Sequence, residues 1–303
     1  MPAIAVGCEH IVRLNQKEAE AFVETALEHG ANFFDNADVY SDGRSEERFA
    51  AAARMSADRR EKFIIETKCG IIPDRAVDLS KKHILEAVEG SLKRLRTDYV
   101  DVLLMHMPDM LVDPEEVAAA WDVLHASGKV RNFGVSNHKP SQIQLLQKYV
   151  KFPIVSNQMQ FSIVHDFMVS QGFYVNMTDD RACIRDGNVL DFCRLNDITI
   201  QTWSPFRYGF FEGIFLDDDE KFPKLNKKLQ QLADKYGVTK TTITMAWILR
   251  HPARMQPVTG TTKAFRLEEC LAALDIELTR EEWYEIYFSQ GNFNPIGGLD
   301  DET

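Results

Sequence analysis

Residues 99–109 read YVDVLLMHMPD, an apolar run that closes on a histidine and then a proline. Val100, Val102, Leu103, Leu104 and Met105 are apolar on both alternating faces, as in a strand covered on both sides, the pattern of a parallel sheet or barrel. His106 falls where this strand stops being buried and the chain turns outward at Pro108, the carboxyl end at which α/β barrels carry their chemistry. Taken alone, such a histidine reads as a satisfied strand-end residue. Two earlier runs end the same way: ANFFDNADVY closes on Asp35 with Tyr40 just beyond, and KFIIETKCG closes on Lys68. A buried aspartate or lysine is costly without a partner, so ionisable groups ending neighbouring strands are expected to serve one another.

Outward from this run, strand-like and helix-like stretches alternate. Residues 3–8 form a first short apolar run, and 17–29 show helical spacing that stops at Gly30, a C-terminal signal. A strand at 31–35 follows, then a polar loop and a helix that Ser45 is expected to cap, running to about Met55. Strand 63–68, helix 78–94, the opening strand, helix 114–127, strand 129–135, helix 140–149 and strand 153–158 continue the pattern. Residues 159–186 look too mixed for regular structure, and stretches of that length tend to be functional or mobile. After helix 187–195 and strand 198–203 comes a second loop, 204–220, carrying Phe206, Tyr208, Phe210 and Phe211. Helices 225–236 and 239–250, strand 255–258 and helices 265–274 and 280–289 complete the chain. Eight alternations without a linker or shift in composition predict an α/β fold, a single (β/α)8 TIM barrel spanning residues 1–303 as one domain. No GxGxxG follows any strand, which disfavours a doubly wound dinucleotide domain.

Composition narrows the partners. A hydrophobic fraction of 45% and a charged fraction of 27% are those of a globular protein. A net charge of −11 without a basic stripe argues against nucleic acid and against an acidic membrane surface. No run approaches the roughly 18 apolar residues of a membrane span, and the start, MPAIAVGCEH, lacks a leader pattern, so a cytoplasmic location is expected. The five cysteines are scattered with no CxxC, which predicts reduced thiols and neither a disulfide framework nor a metal site.

In a parallel barrel the ends of strands two, three and four lie side by side, bringing Asp35, Lys68 and His106 to one mouth with Tyr40 overhanging. A tyrosine hydroxyl gives up its proton near pH 10, and an adjacent ammonium is expected to lower that value. Lys68 supplies the cation, Asp35 holds it charged, and His106 orients a substrate oxygen, so the group serves as proton donor to a carbonyl becoming an alkoxide. The hydride must come from elsewhere, and a nicotinamide cofactor is the economical source.

With that chemistry in view, the segments NFFDNADVYSDGRSEERF, IETKCG, YVDVLLMHMPD, GKVRNFGVSN, SNQ, WSPF and TGTTKAFRLEEC, in this order, resemble the motifs of the aldo-keto reductase superfamily across nearly the whole chain. The resemblance implies an oxidoreductase with the catalytic tetrad Asp35, Tyr40, Lys68 and His106, and Tyr40 as general acid. It further implies that Ser136, Asn137 and Gln158 hold the nicotinamide carboxamide and that Trp203 stacks on its ring. Ser204 and Phe206 would begin the segment over the pyrophosphate. Thr261 and Arg266 would bind an adenosine 2′-phosphate, and Gly7 with Cys8 would form the first-strand turn near the cofactor. The implied cofactor is NADP(H), with NAD(H) left open because Gly260 and Cys270 stand where many members carry a lysine and an amide. The substrate is then a small carbonyl compound.

Two departures stand out. The β-hairpin that usually plugs the barrel floor is not found before the first strand, so other residues must close the floor, and Ser41 replaces a common glycine after Tyr40. An alternative function is a cofactor-binding regulatory or scaffold subunit on the same fold. Without the resemblance, Lys68 is also a candidate Schiff-base nucleophile. Oligomeric state is not legible.

Overall fold

The computed structural model of the chain describes residues 2–210, 212–292 and 294. Eight parallel strands close into a barrel: β1 (Ala5–Gly7), β2 (Phe33–Asp35), β3 (Ile64–Cys69), β4 (Val100–Met105), β5 (Val130–Ser136), β6 (Ile154–Gln160), β7 (Thr199–Trp203) and β8 (Gln256–Thr259). Each strand pairs with its sequence neighbours, and closure comes from β1 on β8, with Ala5 opposite Val258 and Val6 opposite Thr259.

Alternation along the strands divides the buried residues into two cores. Ala5, Phe33, Val102, Leu104 and Val258 pack together inside the barrel. Ile65, Leu103, Met105 and Val135 join the larger cluster formed with the helices. The inner set lies inside the ring of strands, with Leu104 in register with Lys68 and Val102 with Glu66. Gln256 adds a polar tie there, its Nε2 donating to Pro2 O at 2.6 Å.

Several outer helices begin at recognisable caps. Asn15 and Glu18 form a capping box at Gln16–Glu28, Asp113 caps Pro114–Ala126 and Thr239 caps Lys240–Leu249, each satisfying amides that the first turn leaves unpaired. Ser45 does not act as a cap. The helix starts earlier, at Arg44–Ala52 with Gly43 as N-cap, and Ser45 Oγ donates to Glu9 O at 3.0 Å. A left-handed backbone at Gly43 (φ +81°) makes the turn that places the start there.

The stretch 159–186 is more ordered than its composition predicts. β6 continues to Gln160, and a helix forms over Phe167–Phe173. Asp166 Oδ2 accepts from Ser170 Oγ one turn on (2.6 Å) and, at long range, from Gln290 Nε2 (2.9 Å) and Asn292 Nδ2 (3.1 Å). Two small hairpins were also not legible, Ile71–Ile72 with Ala76–Val77 and Arg207–Tyr208 with Gly213–Ile214. Among the described residues no helix is long and apolar enough to cross a membrane.

Candidate active site

The carboxyl ends of β2, β3 and β4 meet at one mouth of the barrel, and the first turn after β2 folds Tyr40 over them. Lys68 is fully buried, with Nζ 2.5 Å from Asp35 Oδ1, 2.9 Å from Asn36 O and 3.0 Å from Tyr40 OH. These contacts use all three ammonium hydrogens. The Tyr40 and His106 rings meet edge to face with centroids 5.9 Å apart. The structure therefore brings Asp35, Tyr40, Lys68 and His106 together.

Burial alone would lower the Lys68 pKa, but the Asp35 carboxylate beside it leads the opposing attraction and the pKa rises, so the amine stays an ammonium. Burial pushes the His106 pKa down to about 3, assisted by the Lys68 charge, and its Nδ1 is buried without a partner. The imidazole is neutral. The expectation for Tyr40 is corrected: burial raises the phenol pKa by more than Lys68 lowers it. At this position, desolvation of the phenolate outweighs attraction to an ammonium already shared with Asp35. Tyr40 thus rests protonated.

A second cluster lies across the mouth at the ends of β5, β6 and β7. Ser136 Oγ donates to Gln158 O at 3.0 Å. Asn137, with a left-handed backbone (φ +59°), accepts from Trp203 Nε1 through Oδ1 at 3.2 Å, and its Nδ2 lies 3.0 Å from Ser136 Oγ. Met107 Sδ is 3.2 Å from the same Nδ2. Gln158 points inward, its Nε2 3.0 Å from Asp35 Oδ1. Ser204 (φ +55°) turns the chain out of β7, its carbonyl accepting from Arg207 N at 3.1 Å, and Phe206 packs on the core.

The remaining expected positions are more dispersed. Gly7 has no room for a side chain, since a Cβ would lie 2.3 Å from Thr259 O across the closure of the barrel. Cys8 gives its backbone N–H to Asp35 O (2.8 Å), and its buried thiol donates to Val6 O at 3.7 Å and joins the larger core cluster. Thr261 Oγ1 accepts from Lys263 N at 3.1 Å just before the helix Ala264–Leu271, and Arg266 is exposed on that helix. Phe211 lies outside the described residues. The amide, hydroxyl and indole groups of this second cluster, tied to the end of β4 by Asn137 Nδ2 at 3.4 Å from His106 O, are a donor set that suits a nicotinamide carboxamide and ring.

Several site groups escaped the sequence. Glu66, in register with Asp35, and Gln201 and Gln256 are buried in the barrel interior. Counting by two from Lys68 and from Trp203 marks Glu66 and Gln201 as inward-facing. Asp38, two residues before Tyr40, has an Oδ1 buried without a partner, and burial followed by the nearby Glu46 carboxylate pushes its pKa up to about 7.

A closed (β/α)8 barrel with a buried ammonium, a phenol and a neutral imidazole at its carboxyl mouth is the class that fold and geometry define. The model of the aldo/keto reductase family matches residues 3–287, and the chain belongs to that family. The uncharacterized oxidoreductase YcsN of Bacillus subtilis is 35% identical over 285 residues, which cover 90% of this chain and 89% of that protein. A 6-dehydroglucose reductase of Agrobacterium fabrum is 32% identical over 278 residues, covering 88% and 86%. The crystal structure of an aldo/keto reductase from Klebsiella pneumoniae in complex with NADP and acetate superposes with a TM-score of 0.74 at 25% identity, covering 94% of this chain and 90% of that one.

Proposed function

We propose that the protein is an NADP(H)-dependent reductase of aldehyde or ketone carbonyls, with Tyr40 as the proton donor. The observation that carries this reading is the Lys68 ammonium held between Asp35 Oδ1 (2.5 Å) and Tyr40 OH (3.0 Å). Bound NADPH would supply the hydride. As the carbonyl oxygen gains negative charge, Tyr40, protonated at rest, hands it the phenolic proton, and Lys68 stabilises the phenolate left behind. Asp35 keeps Lys68 in place, and the neutral His106 donates an N–H to the same oxygen and fixes its position.

Ser136, Asn137 and Gln158 hold the carboxamide in this reading, and Trp203, already tied to Asn137, offers the stacking face. Ser204 and Phe206 open the segment over the pyrophosphate, Gly7 and Cys8 form the turn at the end of β1, and Thr261 and Arg266 take the 2′-phosphate, a contact suited to a guanidinium. The mouth has an apolar rim, with Met107, Met110 and Phe210 exposed. Because one relative is named for reduction of a sugar-derived carbonyl, the substrate panel includes oxidised sugars alongside simple aldehydes, ketones and quinones.

The test is Tyr40→Phe. It is expected to lower kcat by about 10²- to 10⁴-fold with the NADPH dissociation constant, read by fluorescence quenching, nearly unchanged. Full activity in this variant would refute the assignment. Tight NADPH binding by the wild type without turnover of any carbonyl would instead favour a regulatory subunit.

A further inference from the structure

Below the mouth lies a second carboxyl that the reaction just described does not use. Glu66 is fully buried on β3, two residues before Lys68 and on the same inward face. It is the register partner of Asp35 on β2, so the two carboxyls stand side by side inside the barrel. Both are contacted by one amide, Gln158 Nε2, at 3.0 Å from Asp35 Oδ1 and 3.4 Å from Glu66 Oε1. Gln201 Nε2 donates to Glu66 Oε2 at 3.0 Å and lies 2.9 Å from Gln256 Oε1, and Gln256 continues to Pro2 O. A chain of hydrogen-bonded groups thus runs from the floor to Lys68 and Tyr40.

The charges inside do not balance if every group is ionised. Facing Glu66 are Asp35 from β2 and Lys68 from its own strand. The strands β6, β7 and β8 present the neutral amides Gln158, Gln201 and Gln256, and β4 presents Val102 and Leu104 with the neutral His106 above. The Lys68 hydrogens are spent on Asp35, Asn36 O and Tyr40, leaving none for Glu66. A second anion beside Asp35 in a closed interior, with no cation of its own, is strongly unfavourable.

We propose that Glu66 is a resident neutral carboxylic acid that keeps its proton, donates a hydrogen bond through its O–H to Asp35 and, together with Gln158, holds that carboxylate where it fixes Lys68 against Tyr40. Glu66 is a positioning residue, acting through Asp35. The direction of its own titration agrees: burial first, and then the Asp35 charge, drive its pKa well above the ordinary carboxyl range. The idea rests on the reductase reading for its catalytic consequence, but the proton itself is a property of the resting protein.

Infrared spectroscopy of the cofactor-free protein at pH 8 reads that proton without substrate. The difference spectrum of wild type minus Glu66→Gln is expected to show a carboxylic-acid carbonyl band that shifts in D2O. A carboxylate band in its place would overturn the proposal. In steady-state assays Glu66→Leu is expected to lower kcat by about tenfold with a smaller change in KM. Glu66→Gln, which keeps a neutral donor toward Asp35, should recover the greater part of that loss, and equal impairment of the two variants would overturn the positioning role. If Tyr40→Phe keeps full activity while the acid band is present, the reductase assignment fails and the buried proton stands.

Discussion

Asp38 shows how a residue beside the reacting groups acquires unusual behaviour from its surroundings. Its carboxyl titrates at about 7 in the folded chain because burial and the Glu46 carboxylate both oppose its charge, whereas an unfolded aspartate titrates near 3.9. Between these values the folded state binds more protons, so stability falls as pH rises from about 4 to about 7 and stays lower above it. Asp38→Asn removes this penalty. Its stability relative to wild type should therefore be more favourable at pH 8 than at pH 5, by on the order of 2 kcal/mol in urea titrations, and an equal difference at both pH values would refute the account. At this scale the sequence revealed Asp35, Tyr40, Lys68 and His106 as strand-end groups, because ionisable residues closing apolar runs stand out. It did not reveal the resting state of Tyr40, which depends on how deeply the folded mouth excludes water.

The elements are fixed by contacts that period and capping rules only partly foretell. Gly134 in β5 lies against its neighbours on both sides: a Cβ there would come within 2.6 Å of Leu104 Cδ2 on β4 and of Ser156 Oγ on β6, and 2.8 Å of Ser156 O. Gly134→Ala should lower stability by about 2 kcal/mol through overpacking, seen as a fall in the urea midpoint with an unchanged slope. A neutral effect would mean that the strands shift freely. Long apolar strands and periodic helices were legible at this level, since each carries its own pattern. The helix Phe167–Phe173 and the start of Arg44–Ala52 were not. The first is anchored through its own Asp166 and Ser170 to Tyr287, Gln290 and Asn292 from a distant part of the chain, and the second by a glycine turn and a bond from Ser45 to the loop after β1.

Across the whole molecule, the helix Arg280–Ser289 is clamped onto Lys240–Leu249 by a reciprocal pair. Trp247 Nε1 donates to Trp283 O (3.1 Å), Trp283 Nε1 donates to Trp247 O (3.0 Å), and the rings stack with centroids 4.8 Å apart. Trp283→Phe removes one donor and some packing and should cost about 2 kcal/mol, with faster amide exchange in Arg280–Ser289 than in the barrel strands. Unchanged exchange there would show that other contacts dominate. The sequence by itself determined the barrel, the order of its strands and the residues that close them, because these follow from local periodicity and from where apolar runs stop. Only the tertiary structure decided which groups share a proton, which nitrogen lacks a partner, and how Glu66, Gln158, Gln201 and Gln256 join into one buried chain. Those properties depend on distance and on exclusion of water, and neither exists until strands far apart in the chain have closed around a common interior.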